Sequence, residues 1–112
     1  MTDAKDLPYT IAGREILAKT DNLQVQILSL AAGECIPWHY HSQVDDTFVC
    51  LDGPMEVITK NPDTAQRLEP GETYKVPVRK AHKVQGVDGG PCRFVIVQGI
   101  GAHDFLTIDG AK

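Results

Sequence analysis

Positive charge is in short supply in this chain. Eleven Lys and Arg stand against 15 Asp and Glu, for a formal net charge of -4. Such a surface offers no basic footprint to nucleic acid or to an anionic membrane, so neither is expected as a partner. Long apolar runs are missing too: nothing approaches the ~18 residues of a spanning helix. The opening residues, Met1–Asp6, are polar where a secretory signal would be apolar. Cysteine is scarce, odd in number (Cys35, Cys50, Cys92) and never spaced Cys-x-x-Cys. That argues against a disulfide scaffold and against a thiolate zinc site, and it fits free thiols in a reducing cytoplasm. There is no Gly-rich phosphate loop, no Gly-x-Ser-x-Gly elbow and no Cys/His dyad, which removes support for nucleotide and acyl-transfer chemistry.

What is present is turn chemistry. The chain has 112 residues, room for one domain spanning 1–112, and carries 10 Gly and 7 Pro. Asp52-Gly-Pro54, Asn61-Pro-Asp63, Pro70-Gly71, Asp88-Gly-Gly-Pro91 and Asp109-Gly110 all read as turns. Between them lie short strand-like segments. Leu23–Ile27 alternates apolar and polar, and Met55–Thr59 does so in part. Thr47–Leu51 is rich in β-branched and aromatic residues, and Phe94–Val97 is continuously apolar, as expected of a strand buried on both faces. Ile11–Lys19 is the nearest approach to a helical stripe, but Gly13 interrupts it and a strand fits as well. The expected fold is all-β: eight to ten strands, enough to close a small barrel, with Asp109–Lys112 as a loose tail.

Two of the four histidines form Trp38-His39-Tyr40-His41. In a strand, residues i and i+2 share a face, so both imidazoles point one way and suit a single metal ion. A bare His-x-His also fits a solvent-facing pair on an edge strand. Asp45 and Asp46 follow within five positions, and His82 lies about forty residues on, entering another strand. Three imidazoles and a carboxylate make a workable ligand set for Zn, Fe, Mn, Ni or Cu, with positions left for water or substrate. Extended backbone allows only one of Asp45 and Asp46 to face inward, and parity with Phe48 and Cys50 selects Asp46.

With these residues in place the chain resembles a small single-domain cupin. The first motif of that family reads here as Gly33, His39-Tyr40-His41, Asp46 and Gly53, over residues 33–53. The second reads as Gly71, Pro77, Arg79 in a Gly place, His82, and Gly86 in an Asn place, over 71–86. The resemblance implies a jelly roll of two antiparallel sheets, a homodimer, and one divalent transition metal ion held by His39, His41, His82 and Asp46. Three departures stand out. Asp46 replaces Glu and is one carbon shorter, so it is expected to reach the metal through water or at a stretched distance. Arg79 replaces a turn Gly, so the local backbone is expected to differ. Gly86 replaces an Asn that is not a ligand.

Other residues are weaker candidates. By parity Cys35 joins the histidines and Cys50 joins Asp46 in facing the cavity, either as lining or as small buried hydrophobes. Cys92 reads as core. Gln24, Gln26 and Gln98, with Cys50, are candidates for substrate contact, although parity alone does not choose the face of the glutamines. Lys75, Arg79, Lys80 and Lys83 suggest either capture of an anionic substrate or a solvated loop face. Trp38 and Tyr40 read as packing residues, and His103 as exposed. The expected function is a metal-dependent enzyme acting on a small metal-chelating organic molecule, of dioxygenase, isomerase or decarboxylase type. The alternatives are a non-catalytic metal-dependent binding or sensing module, and a structural barrel with an empty site. No catalytic residue is assigned.

Overall fold

The structure is a computed structural model, described over residues 7–108; the expected Asp109–Lys112 tail lies outside the described residues. The described residues form ten strands: β1 Gly13–Lys19, β2 Leu23–Leu30, β3 Cys35–Tyr40, β4 Asp45–Asp52, β5 Met55–Thr59, β6 Thr64–Leu68, β7 Thr73–Val76, β8 His82–Gly86, β9 Cys92–Gly99 and β10 Leu106–Thr107. They assemble into two five-stranded sheets, ordered β1-β2-β9-β4-β7 and β10-β3-β8-β5-β6, with every pairing antiparallel. The fold is the expected all-β jelly roll. Its sheets are not closed into a hydrogen-bonded barrel, because the edge strands are too short to span the seam: β7 has four residues and β10 only two.

Alternation sets the core. In β2 and β9 every second residue is buried, so Leu28, Leu30, Phe94 and Ile96 meet Phe48 from β4. The second sheet answers with Ile36, Met55, Val57, Leu68 and Val84. Burying a side chain of this size contributes roughly 1.5–3 kcal/mol. The apolar run Phe94–Val97 is therefore not buried on both faces. Phe94 and Ile96 point into the core, while Val95 and Val97 lie half-buried on the outer face of the first sheet.

One irregularity matters for the site. Along β3, Ile36 pairs with Val84 but His39 pairs with His82, so β3 carries one extra residue between those pairs. Pro37, which has no N–H to give to a ladder, sits in this bulge. Both Ile36 and His39 consequently face inward, and Cys35 is turned to the outer face opposite Gln85. The parity that placed Cys35 with the histidines fails here, because a bulge reverses the count.

Candidate metal centre

Cross-strand register brings the site together at one end of the sandwich. His39 on β3 lies opposite His82 on β8, and His41 follows just beyond the end of β3. From the facing sheet, Asp46 on β4 pairs with Gln98 on β9, which pairs in turn with Gln24 on β2. His39, His41, Asp46 and His82 are all buried, and their ligand atoms lie within 4.8 Å of one another. Asp46 Oδ2 is 2.8 Å from Nε2 of both His41 and His82, and 4.0 Å from Nε2 of His39.

The other ring nitrogens are all engaged. Nδ1 of His39 donates to the Pro37 carbonyl at 2.7 Å, Nδ1 of His82 to the Lys80 carbonyl at 2.8 Å, and Nδ1 of His41 to the Asp104 carbonyl. Backbone acceptors at Nδ1 leave the Nε2 lone pairs converging on the carboxylate, the tautomer a metal ligand needs. Lone pairs that meet at 2.8 Å need a proton or a metal ion between them. This donor set fits a divalent transition metal, with Asp46 within reach of the same point as the imidazoles.

The electrostatics follow from that crowding. Burial opposes charge on Asp46, but hydrogen bonds and the fields of His41 and His82 hold its carboxyl well below the usual range. Burial likewise opposes charge on His41, yet Asp46 and the Asp104 carbonyl raise it above the ordinary imidazole value. His39 is held well below that value, chiefly by burial and then by its two imidazole neighbours. Asp45 points the other way: it accepts the Val78 N–H at 3.0 Å and lies 3.8 Å from the Lys75 ammonium.

Beside the four residues is a cavity of about 60 Å³, open at one side. Gln24, Gln26 and Gln98 are buried and line it, settling the face that parity left open. Gln26 Nε2 donates to Gln98 Oε1 at 3.2 Å, and Gln98 Nε2 donates to Asp46 Oδ1 at 3.1 Å. Cys50 is not in the lining; it lies in the apolar core beside Gly53. Lys75, Arg79, Lys80 and Lys83 also lie outside it: Lys75 faces Asp45 and Lys80 reaches the Asn61 carbonyl. The lining cation with a visible role is Arg14 on β1. Arg79 stands in a turn of unusual backbone. Its φ of 65° is the left-handed conformation that a glycine adopts freely, so here a residue with a side chain bears the strain of the turn.

Three residues of the last segment were missed by the sequence reading. His103, expected to be exposed, is only 9% exposed and lies with its ring 5.1 Å from that of His41. Phe105 stacks on His39, with centroids 4.2 Å apart and planes 16° from parallel. Asp104 accepts from the Ser42 N–H and hydroxyl, and its carbonyl holds His41. The signal that finds them is the pairing of β10 with His39 and Tyr40, a long-range contact that no local pattern encodes.

Comparisons with known proteins place the fold in a family. A family model described as a cupin domain matches residues 26–98. No protein of the curated set matches the chain. Among solved structures, an uncharacterized conserved protein with a double-stranded beta-helix domain from Klebsiella pneumoniae is 18% identical, with a TM-score of 0.71, covering 96% of this chain and 97% of that one. KdgF from Halomonas sp. is 18% identical at a TM-score of 0.67, over 88% of this chain and 92% of that one. An oxalate oxidase is 16% identical at a TM-score of 0.69, over 78% of this chain but only 46% of that one. These likenesses show the shared fold. With the family model spanning most of its length, the chain belongs to the cupin-domain family.

Proposed function

We propose that this protein holds one divalent transition metal ion on His39, His41, His82 and Asp46, and that it is an enzyme acting on a small organic molecule that chelates the ion. The observation that carries this reading is the set of three Nδ1–H donations to backbone carbonyls, which aims three Nε2 lone pairs at one carboxylate. When bound, such an ion supplies Lewis-acid polarisation of a chelated substrate oxygen, chemistry suited to a dioxygenase, isomerase or decarboxylase. The chain's own residues do the rest. Gln98 fixes the rotation of Asp46, Phe105 holds the plane of His39, and Leu28, Ile36 and Ile96 keep one wall of the cavity dry.

Metal analysis of purified, untagged protein tests the reading. Near-stoichiometric metal in the wild type and none in the His39→Ala/His41→Ala/His82→Ala triple variant is expected. Stoichiometric metal in the triple variant would overturn the ligand set. Two further proposals go with it. A cytoplasmic location suits three cysteines that are all free thiols. A homodimer suits the outer face of the first sheet, where Val25, Ile27, Val49, Val95 and Val97 are half-buried and side by side. Light scattering at micromolar concentration that shows only a 12.2 kDa species would refute the dimer.

A further inference from the structure

The cavity has two ends, and the metal centre accounts for only one. We propose that the outer end is an anion subsite and that the ligand is a small carboxylate bearing a hydroxyl group. Arg14 and Tyr9 hold its carboxylate and Gln24 accepts from its hydroxyl. The proposal rests on the reading of the inner end as a metal centre.

Arg14 carries the argument for the anion. It lies half-buried in the cavity wall, and its two resolved partners are neutral: Nη1 donates to Gln26 Oε1 at 2.8 Å and Nη2 to the Tyr9 hydroxyl at 3.0 Å. No carboxylate among the described residues forms an ion pair with it. A guanidinium has five N–H donors in a rigid fork, so most remain for a planar carboxylate. Tyr9 accepts from Arg14 and therefore has its own O–H to donate to the same anion.

Gln24 carries the argument for the hydroxyl. The residue is only 5% exposed, lines the same cavity, and its Oε1 is buried without a partner. Among the described residues only one other side-chain atom, His103 Nδ1, shares that condition, and it lies in the same cavity. An imidazole nitrogen can donate or accept, so His103 specifies little. An amide oxygen only accepts, so its partner must bring an O–H or an N–H. A protonated amine would place a second cation near Arg14, which favours a neutral donor, and the smallest that fits is a hydroxyl. The volume, about 60 Å³, is room for roughly four waters and so restricts the ligand to a few non-hydrogen atoms.

The two ends are connected. Arg14 donates to Gln26, Gln26 to Gln98, and Gln98 to Asp46. Because Arg14 can only donate and the carboxylate can only accept, the orientation of both amides is fixed from outside. An anion that draws on Arg14 is thereby linked to the carboxylate that faces the three imidazoles.

The test is calorimetric titration of the zinc-loaded protein with lactate, propionate (no hydroxyl) and propane-1,2-diol (no carboxylate). Lactate is expected to bind at least about tenfold tighter than the diol, and Arg14→Gln to weaken lactate by a similar factor, with Arg14→Lys intermediate. Propionate is expected to bind roughly fivefold more weakly than lactate to the wild type, and equally with lactate to Gln24→Met. Equal binding of diol and lactate, an unchanged Arg14→Gln, or no binding of any of the three would overturn the anion subsite. A lactate preference that survives in Gln24→Met would overturn the hydroxyl assignment. Zinc content of each sample is measured alongside. A wild type that takes up no zinc sinks the metal reading, and the Arg14 contrast repeated on metal-free protein still decides the subsite.

Discussion

Asp46 and His82 stand 36 positions apart in the chain and bring a carboxylate oxygen and an imidazole nitrogen to 2.8 Å. His82 has already spent its Nδ1–H on the Lys80 carbonyl, so this approach is stable only with a proton between the two atoms or a cation in its place. Protons and metal are therefore direct competitors at Asp46.

Metal affinity should fall with pH in consequence. His41 is raised above the ordinary imidazole value in the metal-free protein, so the competition begins above pH ~6.5 rather than at it. Chelator-competition titrations from pH 8 down to pH 5 should show a steady loss, on the order of tenfold per pH unit once one proton must leave. A flat profile across that range would contradict the site.

Removing the carboxylate separates ligand from charge. Asp46→Asn should still take up metal in excess, because three imidazoles remain, but with affinity lowered about tenfold or more. Without metal, the carboxyl of Asp46 is held well below its ordinary value, so it contributes stability at neutral pH that begins to be lost only below the ordinary carboxylate range. The gap between wild type and Asp46→Asn in urea unfolding should accordingly hold from neutral pH down to about pH 4 and begin to narrow below it. A gap that stays constant would mean the residue acts by shape alone.

His103 adds to acid sensitivity in the same direction, through a group that must stay neutral rather than charged. Burial, and after it the neighbouring His41, lowers its pKa to about 4 from an ordinary value of 6.5. Between these values the unfolded chain binds a proton that the folded chain refuses, so stability is lost as pH drops through that window. His103→Gln should flatten the decline measured by urea unfolding of metal-free protein between pH 6.5 and pH 4. Equal slopes would place His103 in solvent.

Two positions in the second motif should respond in opposite directions. A Cβ on Gly86 would lie 1.8 Å from the Gly90 carbonyl oxygen, with backbone that cannot swing away. Gly86→Ala should cost about 2–3 kcal/mol or more. Arg79 holds a φ of 65° without being glycine, so Arg79→Gly should be neutral or stabilise by up to ~1 kcal/mol with metal content unchanged. Thermal unfolding of both variants checks the pair.

Much of this was legible in the residues. Alternation in Leu23–Ile27 and the turn pairs located the strands, and the spacing of His39, His41, Asp46 and His82 anticipated a cluster that the register does assemble. What escaped was whatever depends on a break in the pattern or on distant chain. The bulge at Pro37 turned Cys35 outward, since parity counts only through unbroken ladders. The run Phe94–Val97 looked doubly buried because valine packs equally well on a half-covered outer face. Arg14, His103 and Phe105 reached the cavity through strand pairings 12 or more positions apart, about which a local window is silent.

The bulge in β3 divides that strand into two reading frames. Upstream of it Ile36 belongs to the core, and downstream His39 and His41 belong to the metal centre. Deleting Trp38 would remove the extra residue, and ordinary alternation would then keep Ile36 and the two imidazoles on the same inward face. The bulge therefore sets not which way the histidines face but how much chain stands between the core and the metal centre: two residues, Pro37 and Trp38, where a regular strand has one. A strand shortened by Trp38 is accordingly expected to keep its metal content, whereas a substitution that leaves the length unchanged cannot alter that spacing.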